Sequence, residues 1–392
     1  MTMFDPQSLL ATATAQSGLS DFGSDDFREP LSVVCASLDR EAPLTPAGRA
    51  ASRDRLIGDL KQRLLLQEWF RRHPDIAEEE IDAPLVIAGL PRTGTTLLYR
   101  MLSAARGIAS PLHYEVAQPP PPFDWDFRTQ TDTRIPAAEA SVEAMMAALP
   151  ELAAIYPFEA MAPEESLYLY GPSLRSTGQQ SSALVPGYDR WFRGADKTPA
   201  YAYLRRALQC LQWQRRRGGR WRSGARWLLK TPDHLHGLDA LFAVFPGAQI
   251  IQTHRDPVQT IPSICSFIRV LHSLTAARDD SQDIGAAWSA MFAASLDQVM
   301  QVRADRPDAF LDVWYRDTVA DPRHVAETVF AFIGRSLTGG AWAEMQSWRD
   351  ANKREDRPGH DYSPATFGLT EAGIKHQFAA YRERFIVPSA RS

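Results

Sequence analysis

A glycine-rich segment near residue 90 carries the clearest chemical signal in the sequence. Residues 89–96 read Gly-Leu-Pro-Arg-Thr-Gly-Thr-Thr, after a short apolar run and before a stretch whose apolar residues recur at helical spacing. In such a strand–loop–helix unit the backbone N–H groups of the loop converge on an anion, and the dipole of the helix N-terminus favours negative charge. The sequence therefore predicts a phosphate-binding loop whose contact residues are Pro91, Arg92, Thr93, Gly94, Thr95 and Thr96.

The loop departs from the nucleoside-triphosphatase pattern at one position. Its spacing matches GxxxxGK[ST], except that Thr95 stands where the lysine is expected and a cation occurs earlier, at Arg92. In nucleoside triphosphatases that lysine contacts the β- and γ-phosphates, and the following Ser or Thr binds magnesium. The substitution therefore argues against chemistry on a magnesium-bound triphosphate.

Two further cations follow predicted strands. Lys230 comes directly after the apolar run 227–229, and Arg255 comes shortly after the run 249–252. In open α/β sheets, ligands bind beyond the carboxyl ends of the strands. We therefore expect Lys230 and Arg255 to face the same crevice as the glycine-rich loop.

Short apolar runs alternate with helical patterns along the chain. The predicted strands are residues 84–88, 227–229, 249–252 and 310–314. The predicted helices are residues 45–73, 136–170, 201–216, 238–245, 258–274 and 286–302. Continuous apolar runs are typical of strands that are buried on both faces. The order strand, helix, strand predicts an α/β fold: a P-loop-type doubly wound parallel sheet with helices on both faces and extra helical segments at both termini.

We expect these elements to form a single elaborated domain. Its predicted parts are an N-terminal helical extension at 1–82, an α/β core at 83–335 with a helical insertion at about 123–220, and a C-terminal helical segment at 336–392. The sequence has no internal repeat, low-complexity tract or clear interdomain linker. A chain of 392 residues is long enough to bury a substantial core.

Composition and charge narrow the class of protein. Hydrophobic residues make up 44% of the chain and charged residues 23%, and the formal net charge is -4. This balance is ordinary for a soluble globular protein and argues against general nucleic-acid binding.

Cys35, Cys210 and Cys265 cannot build a disulfide framework. We find neither a signal peptide nor an apolar run long enough to span a bilayer, so we expect a cytoplasmic protein. No pattern indicates an oligomeric state.

The glycine-rich loop resembles that of a known enzyme family. Residues 90–98 are similar to the 5′-phosphosulfate loop of sulfotransferases, particularly the bacterial branch and the related tyrosylprotein sulfotransferases. The resemblance extends from about Pro84 to Phe385 and includes residues 162–165 and 358–362. It implies that the loop holds the 5′-phosphate of 3′-phosphoadenosine 5′-phosphosulfate (PAPS) and that adenosine 3′,5′-bisphosphate (PAP) is the product. Because a sulfuryl group carries less negative charge than a terminal phosphoryl group, we expect no metal requirement.

The same resemblance assigns roles at the other strand ends. Arg255 with Ser263 resembles the Arg and Ser pair that binds the 3′-phosphate of the donor. Lys230 resembles the lysine that stabilises charge on the transferring group. The C-terminal donor clamp of animal enzymes is absent from the sequence, and Gly359 and His360 are the candidates to take its place.

The acceptor hydroxyl must lose its proton, so a base is required near the loop. Tyr114 and Glu115 resemble the aromatic–glutamate pair of related bacterial enzymes, whereas animal-type enzymes use a histidine. We therefore expect Glu115 to be the base, with His113 in reserve. Lys230 and Arg92 are expected to stabilise the charge that develops on the transferring group.

Two sets of residues have alternative interpretations. Glu164 and Glu165 are either N-terminal charges of the helix after Pro163 or contacts to substrate. The methionines and aromatic residues between Met145 and Tyr170 either line an apolar cleft for the acceptor or pack on the core.

Three functions compete as interpretations of these patterns. The favoured one is a PAPS-dependent sulfotransferase that transfers a sulfuryl group, by direct in-line displacement, to a hydroxyl of a small molecule such as a phenol, a lipid alcohol or a polyketide. A P-loop kinase or NTPase would require magnesium and the lysine that Thr95 replaces. A non-catalytic nucleotide-binding module would not depend on Glu115 or Lys230.

Overall fold

A parallel sheet lies at the centre of the molecule. The computed structural model describes residues 2–81, 83–127, 131–152, 156, 158–352 and 363–387. The strands are β1 (Leu85–Gly89), β2 (Ile108–Ala109), β3 (Arg226–Lys230), β4 (Gln249–His254) and β5 (Phe310–Trp314). Within the described residues they form one sheet in the order β2-β3-β1-β4-β5, and every neighbouring pair is parallel. The short edge strand β2 was not predicted, because two residues carry no readable pattern.

Helices surround this sheet. Before β1 come α1 (Pro6–Ser17), α2 (Arg28–Arg40) and α3 (Pro46–Arg72). Between β1 and β3 come α4 (Thr95–Ser103), α5 (His113–Ala117), α6 (Arg134–Ala148), α7 (Leu167–Tyr170), α8 (Gly178–Ser182), α9 (Pro186–Gly194) and α10 (Thr198–Arg217). After β3 come α11 (Leu238–Val244), α12 (Pro257–His272), α13 (Ser281–Asp305), α14 (Tyr315–Ala320), α15 (Pro322–Phe332), α16 (Gly339–Ala351), α17 (Glu371–Gln377) and α18 (Ala379–Phe385). Short 3₁₀ turns occupy Asp25–Phe27, Pro74–Glu78, Gly171–Ser173, Pro232–His236, Pro307–Ala309 and Pro364–Phe367.

The two faces of the sheet are covered by different apolar cores. Successive side chains of a strand point to opposite faces. Accordingly, Val86 and Ala88 of β1 belong to one core cluster, and Leu85 and Ile87 belong to another. All four side chains are fully buried. The continuous apolar run in the sequence therefore reflects helices on both faces, and the predicted doubly wound α/β fold is confirmed.

The helix predicted over residues 136–170 is interrupted. Helix α6 ends at Ala148 and α7 begins at Leu167. In the loop before α7, the N–H of Glu164 donates to the carbonyl of Pro111 at 2.9 Å, and that of Ser166 donates to the carbonyl of Lys230 at 3.0 Å. Because Pro163 disfavours helix in the residue before it and has no N–H, the segment bonds to its neighbours instead. This loop lies beside the carboxyl end of β3.

The N-terminal helices pack on the main core. Leu56, Leu60 and Leu64 of α3 belong to the same apolar cluster as Val86. The division into extension, core and C-terminal segment stays a prediction. None of the described helices combines the length and the apolar character needed to cross a membrane.

Candidate active site

The predicted phosphate loop connects β1 to α4 and is tightly packed. Gly94 has a φ of 83° and Arg92 a φ of 67°, in the left-handed region that suits glycine. A Cβ atom at Gly94 would lie 2.6 Å from Cδ2 of Tyr315, and one at Gly89 would lie 2.1 Å from Oγ1 of Thr253. The close approach of β4 and of the start of α14 therefore requires glycine at both positions.

The N-terminus of α4 provides hydrogen-bond donors for an anion. The N–H of Leu98 donates to the carbonyl of Gly94 at 3.1 Å. The N–H groups of Thr95, Thr96 and Leu97 precede this bond and have no acceptor within the helix. Together with the helix dipole they attract negative charge. The loop geometry thus fits a bound phosphate.

Two of the predicted contact residues shape the loop with their side chains. The buried hydroxyl of Thr93 donates to the carbonyl of Leu90 at 2.7 Å and lies 2.6 Å from Oγ1 of Thr253. Because the hydroxyl of Thr93 faces β4, Thr93 can donate to an anion only from its backbone N–H. Pro91 has no N–H and contributes a restricted backbone.

The second predicted anion site adjoins the loop. Arg255 donates from Nη1 to the carbonyl of Arg92 at 3.1 Å and from Nε to Oε1 of Gln259 at 2.8 Å. Its guanidinium carbon lies 4.5 Å from the ring centre of Tyr315. Ser263 is buried on α12. Sequence reasoning missed Tyr315, although it directly follows β5 and the strand-end rule that found Arg255 applies to it equally.

Lys230 lies at the carboxyl end of β3 and is fully buried. Its Nζ donates to Oε1 of Glu165 at 2.6 Å and lies 3.5 Å from Oγ1 of Thr96. The other carboxylate oxygen of Glu165 accepts the hydroxyl of Thr231 at 2.9 Å. A buried ammonium group needs such partners because an unpaired charge is costly to remove from water. The structure therefore places a positive charge directly beside the phosphate loop.

His113 and Glu164 form a second ionisable pair. Nδ1 of His113 lies 3.2 Å from Oε2 of Glu164, whose Oε1 accepts the hydroxyl of Tyr156 at 2.6 Å. Burial raises the pKa of Glu164, but the hydrogen bond with His113 and the charge of Lys230 outweigh burial and hold that pKa below its ordinary value. With Nδ1 bound to a carboxylate, Nε2 is the nitrogen of His113 that can accept a proton.

Glu115, the expected base, is held in a buried ion pair. Its Oε1 accepts Nε of Arg215 at 3.0 Å, and its Oε2 accepts both Nη2 of Arg215 and the N–H of Leu112. Burial opposes ionisation, but the charge and hydrogen bonds of Arg215 outweigh it and lower the pKa of Glu115. A carboxylate bound in this way is a poor proton acceptor. The identity of the base stays a prediction: Glu115 is held in this ion pair, whereas the reserve candidate His113 contacts Glu164.

Apolar residues adjoin the ring of His113. The ring of Phe158 lies 6.0 Å from that of His113 and 4.6 Å from that of Tyr156. Phe158 packs in an apolar cluster with Met145, Met146, Leu149, Leu152, Phe267, Val270 and Leu271. Met161 and Tyr168, on either side of the two glutamates, are 52% and 44% exposed. His113, Glu164, Glu165 and Lys230, called the ionisable cluster below, therefore border an apolar surface.

The structure brings some of the predicted site residues together. Residues of the loop, Lys230 and Arg255 meet at the carboxyl ends of β1, β3 and β4. Gly359 and His360 lie outside the described residues. Sequence reasoning left Glu164 and Glu165 undecided, and the contacts to His113 and Lys230 assign both to the ionisable cluster. Over the described ranges, no group of three or more His, Cys, Asp or Glu side chains is arranged to hold a metal ion.

Comparisons with known proteins agree with the resemblance seen in the sequence. Residues 84–339 match the model of the sulfotransferase family. The sulfotransferase STF1 from Mycobacterium tuberculosis H37Rv is 31% identical, with a TM-score of 0.83, over 95% of this chain and 98% of that chain. The sulfotransferase STF9 from Mycobacterium avium is 26% identical, with a TM-score of 0.85, over 97% of this chain and 96% of that chain. A comparison with curated proteins gave no match. Because the family match covers more than half of its length, the chain belongs to the sulfotransferase family.

Proposed function

We propose that this protein transfers a sulfuryl group from PAPS to a hydroxyl of a small-molecule acceptor. Membership of the sulfotransferase family supports the reaction class. The observation that carries the choice of donor is the contact between the two anion sites, where Arg255 donates to the carbonyl of Arg92 within the phosphate loop. PAPS carries phosphate groups on the 3′- and 5′-oxygens of the same ribose, so two adjacent anion sites suit it.

The residues around the loop supply the donors that PAPS needs. The N–H groups at the start of α4 and the hydroxyls of Thr95 and Thr96 suit the 5′-phosphosulfate. Arg255, with Ser263 on the following helix, suits the 3′-phosphate. We propose binding without a metal ion, because the loop has Thr95 in place of the lysine that acts with magnesium on triphosphates.

The proposed reaction is a direct in-line displacement. The acceptor oxygen forms a bond to sulfur while the bond from sulfur to the bridging oxygen breaks, and that electron pair leaves with PAP. Lys230 and Arg92 stabilise the negative charge that develops on the bridging and sulfuryl oxygens. Nε2 of His113 takes the proton of the acceptor hydroxyl, and Glu164 orients the imidazole and stabilises its protonated form.

The proposed acceptor is a hydroxyl on an apolar body, such as a phenol, a lipid alcohol or a polyketide. Support comes from Phe158, whose ring is 6.0 Å from that of His113 and which packs with Met145 and Met146. An apolar acceptor body that covers this surface would also exclude water from the reacting oxygen.

Two measurements on the purified protein test the proposal. We expect PAP to bind in the presence of EDTA, and label from PAPS to be transferred to members of a phenol and lipid-alcohol panel. We expect His113→Ala to keep its affinity for PAP while kcat falls by about 10²–10⁴-fold, the usual contribution of a general base. His324→Ala, at an exposed position on α15, is the matched control and should leave both unchanged. Absence of PAP binding, together with magnesium-dependent ATP turnover, would contradict the proposal.

A further inference from the structure

The C-terminal helix α18 is bound to the ends of two strands. Nδ1 of His254, the last residue of β4, lies 2.9 Å from the hydroxyl of Tyr381. The ring of His254 stacks on that of Phe385 with 4.3 Å between their centres. Trp314, the last residue of β5, donates from Nε1 to the carbonyl of Phe385 at 2.7 Å. A segment at the far end of the chain therefore holds the carboxyl edge of the sheet.

Arg382 extends this contact beyond the end of β4. Its Nε donates to Oδ1 of Asp256 at 3.0 Å, and its Nη2 donates to Oδ2 at 2.9 Å. The two side chains are 17% and 23% exposed. Two parallel hydrogen bonds between a guanidinium and a carboxylate are strong and fix the relative orientation of both groups. The pair therefore ties α18 to the turn between β4 and α12.

Asp256 also begins helix α12. Its Oδ1 accepts the N–H of Val258 at 3.1 Å, and its carbonyl accepts the N–H of Gln259 at 2.9 Å. A side-chain cap of this kind stabilises the start of a helix, because it satisfies a backbone N–H that has no acceptor within the helix. Arg255 directly precedes this cap. Because the same carboxylate binds Arg382 and caps α12, the position of Arg382 influences the backbone that carries Arg255.

We propose that Arg382 is a positioning residue for the donor. It acts through Asp256 to hold Arg255 against the phosphate loop. The inference rests on the proposed function, in which Arg255 binds the 3′-phosphate of PAPS. Without Arg382, the turn populates other conformations, and the apparent donor affinity falls in proportion to the fraction in which Arg255 is in place.

A variant series separates positioning from simple charge attraction. Arg382→Lys keeps the positive charge but cannot form the bidentate pair, and Arg382→Ala removes both. Arg384→Ala is the matched control, because Arg384 is exposed on the same helix. We expect both Arg382 variants to bind PAP about tenfold more weakly by titration calorimetry, which corresponds to a tenfold smaller competent fraction. The control should stay within about twofold of wild type by the same reasoning.

Steady-state kinetics and a double-mutant cycle complete the test. The KM for PAPS should rise with the Kd for PAP while kcat at saturating donor is retained, because Arg382 touches no reacting group. Asp256→Asn should also weaken PAP binding, and adding Arg382→Ala to it should weaken binding little further. Thermal unfolding of each variant checks that it is folded, and Arg382→Lys serves if Arg382→Ala does not fold.

Clear results would overturn the inference. It is refuted if folded Arg382 variants bind PAP as wild type does, if Arg384→Ala has the same effect, or if the cycle is additive. If Arg382→Lys alone kept its affinity for PAP, charge attraction would account for the effect and the positioning role would be refuted. If wild type itself does not bind PAP, the proposed function fails; if wild type binds and the Arg382 variants are unaffected, only this inference fails.

Discussion

The buried ion pair between Glu115 and Arg215 offers a sharp test of whether Glu115 serves folding or chemistry. The two side chains are 1% and 11% exposed. Removing one partner of a buried pair costs about 3–5 kcal/mol, because the other charge is left uncompensated. Glu115→Gln retains one oxygen that can accept a hydrogen bond from Arg215. We therefore expect it to lower the free energy of unfolding by about 3 kcal/mol, at the lower end of that range.

Urea unfolding followed by tryptophan fluorescence measures this change. The matched control is Glu327→Gln, whose pair with Arg323 is 49% and 62% exposed. We expect that control to lose less than about 0.5 kcal/mol, because solvent screens exposed pairs. The sulfuryl-transfer rate of folded Glu115→Gln should remain close to that of wild type, whereas the rate of His113→Ala should fall.

The pH dependence has a definite sign. The pKa of Glu115 is lowered in the folded protein from an ordinary value of 4.5. Its stabilising contribution is therefore complete above that value and is lost as the pH falls through the folded-state pKa. The stability difference between wild type and Glu115→Gln should shrink below about pH 4.5. If Glu115→Gln were as stable as wild type but had lost most of its kcat, this reasoning would be refuted and Glu115 would again be the expected base.

Two further predictions concern the loop and the buried histidines. Gly94→Ala would place a Cβ atom 2.6 Å from Tyr315 at a φ of 83°, so the affinity for PAP measured by calorimetry should fall about tenfold or more. Gly339→Ala is the control, because nothing lies within 4 Å of a Cβ atom there. Equal affinities of the two variants for PAP would contradict this prediction. Burial lowers the pKa of His234 and His236 to about 3, so below about pH 6.5 the unfolded chain binds protons that the folded chain does not. As the pH is lowered from 6 to 5, the free energy of unfolding should therefore fall by up to about 1.4 kcal/mol per pH unit for each histidine. Urea unfolding of His234→Gln should show a smaller pH dependence than wild type, because one of the two histidines no longer contributes.

The elements around the loop were predictable because their signals are local. A continuous apolar run at residues 85–88 requires burial on both faces, wherever the rest of the chain lies. The glycine-rich loop depends on its own backbone, and Lys230 and Arg255 follow from the rule for the carboxyl ends of parallel strands. The loop before α7 was not predicted, since its hydrogen bonds go to Pro111 and Lys230.

The partners of the acidic residues followed only from the folded chain. Glu115 pairs with Arg215 100 residues away, Glu165 with Lys230 65 residues away, and Glu164 with His113 51 residues away. Whether a carboxylate stabilises the fold, neutralises a lysine or orients a histidine depends on which charges lie within a few ångströms of it and on how far it is buried. The sequence alone was enough to predict the family, four of the five strands that the structure describes and the glycine-rich loop. Only the folded chain distinguished the three glutamates, because their chemistry is set by neighbours in space.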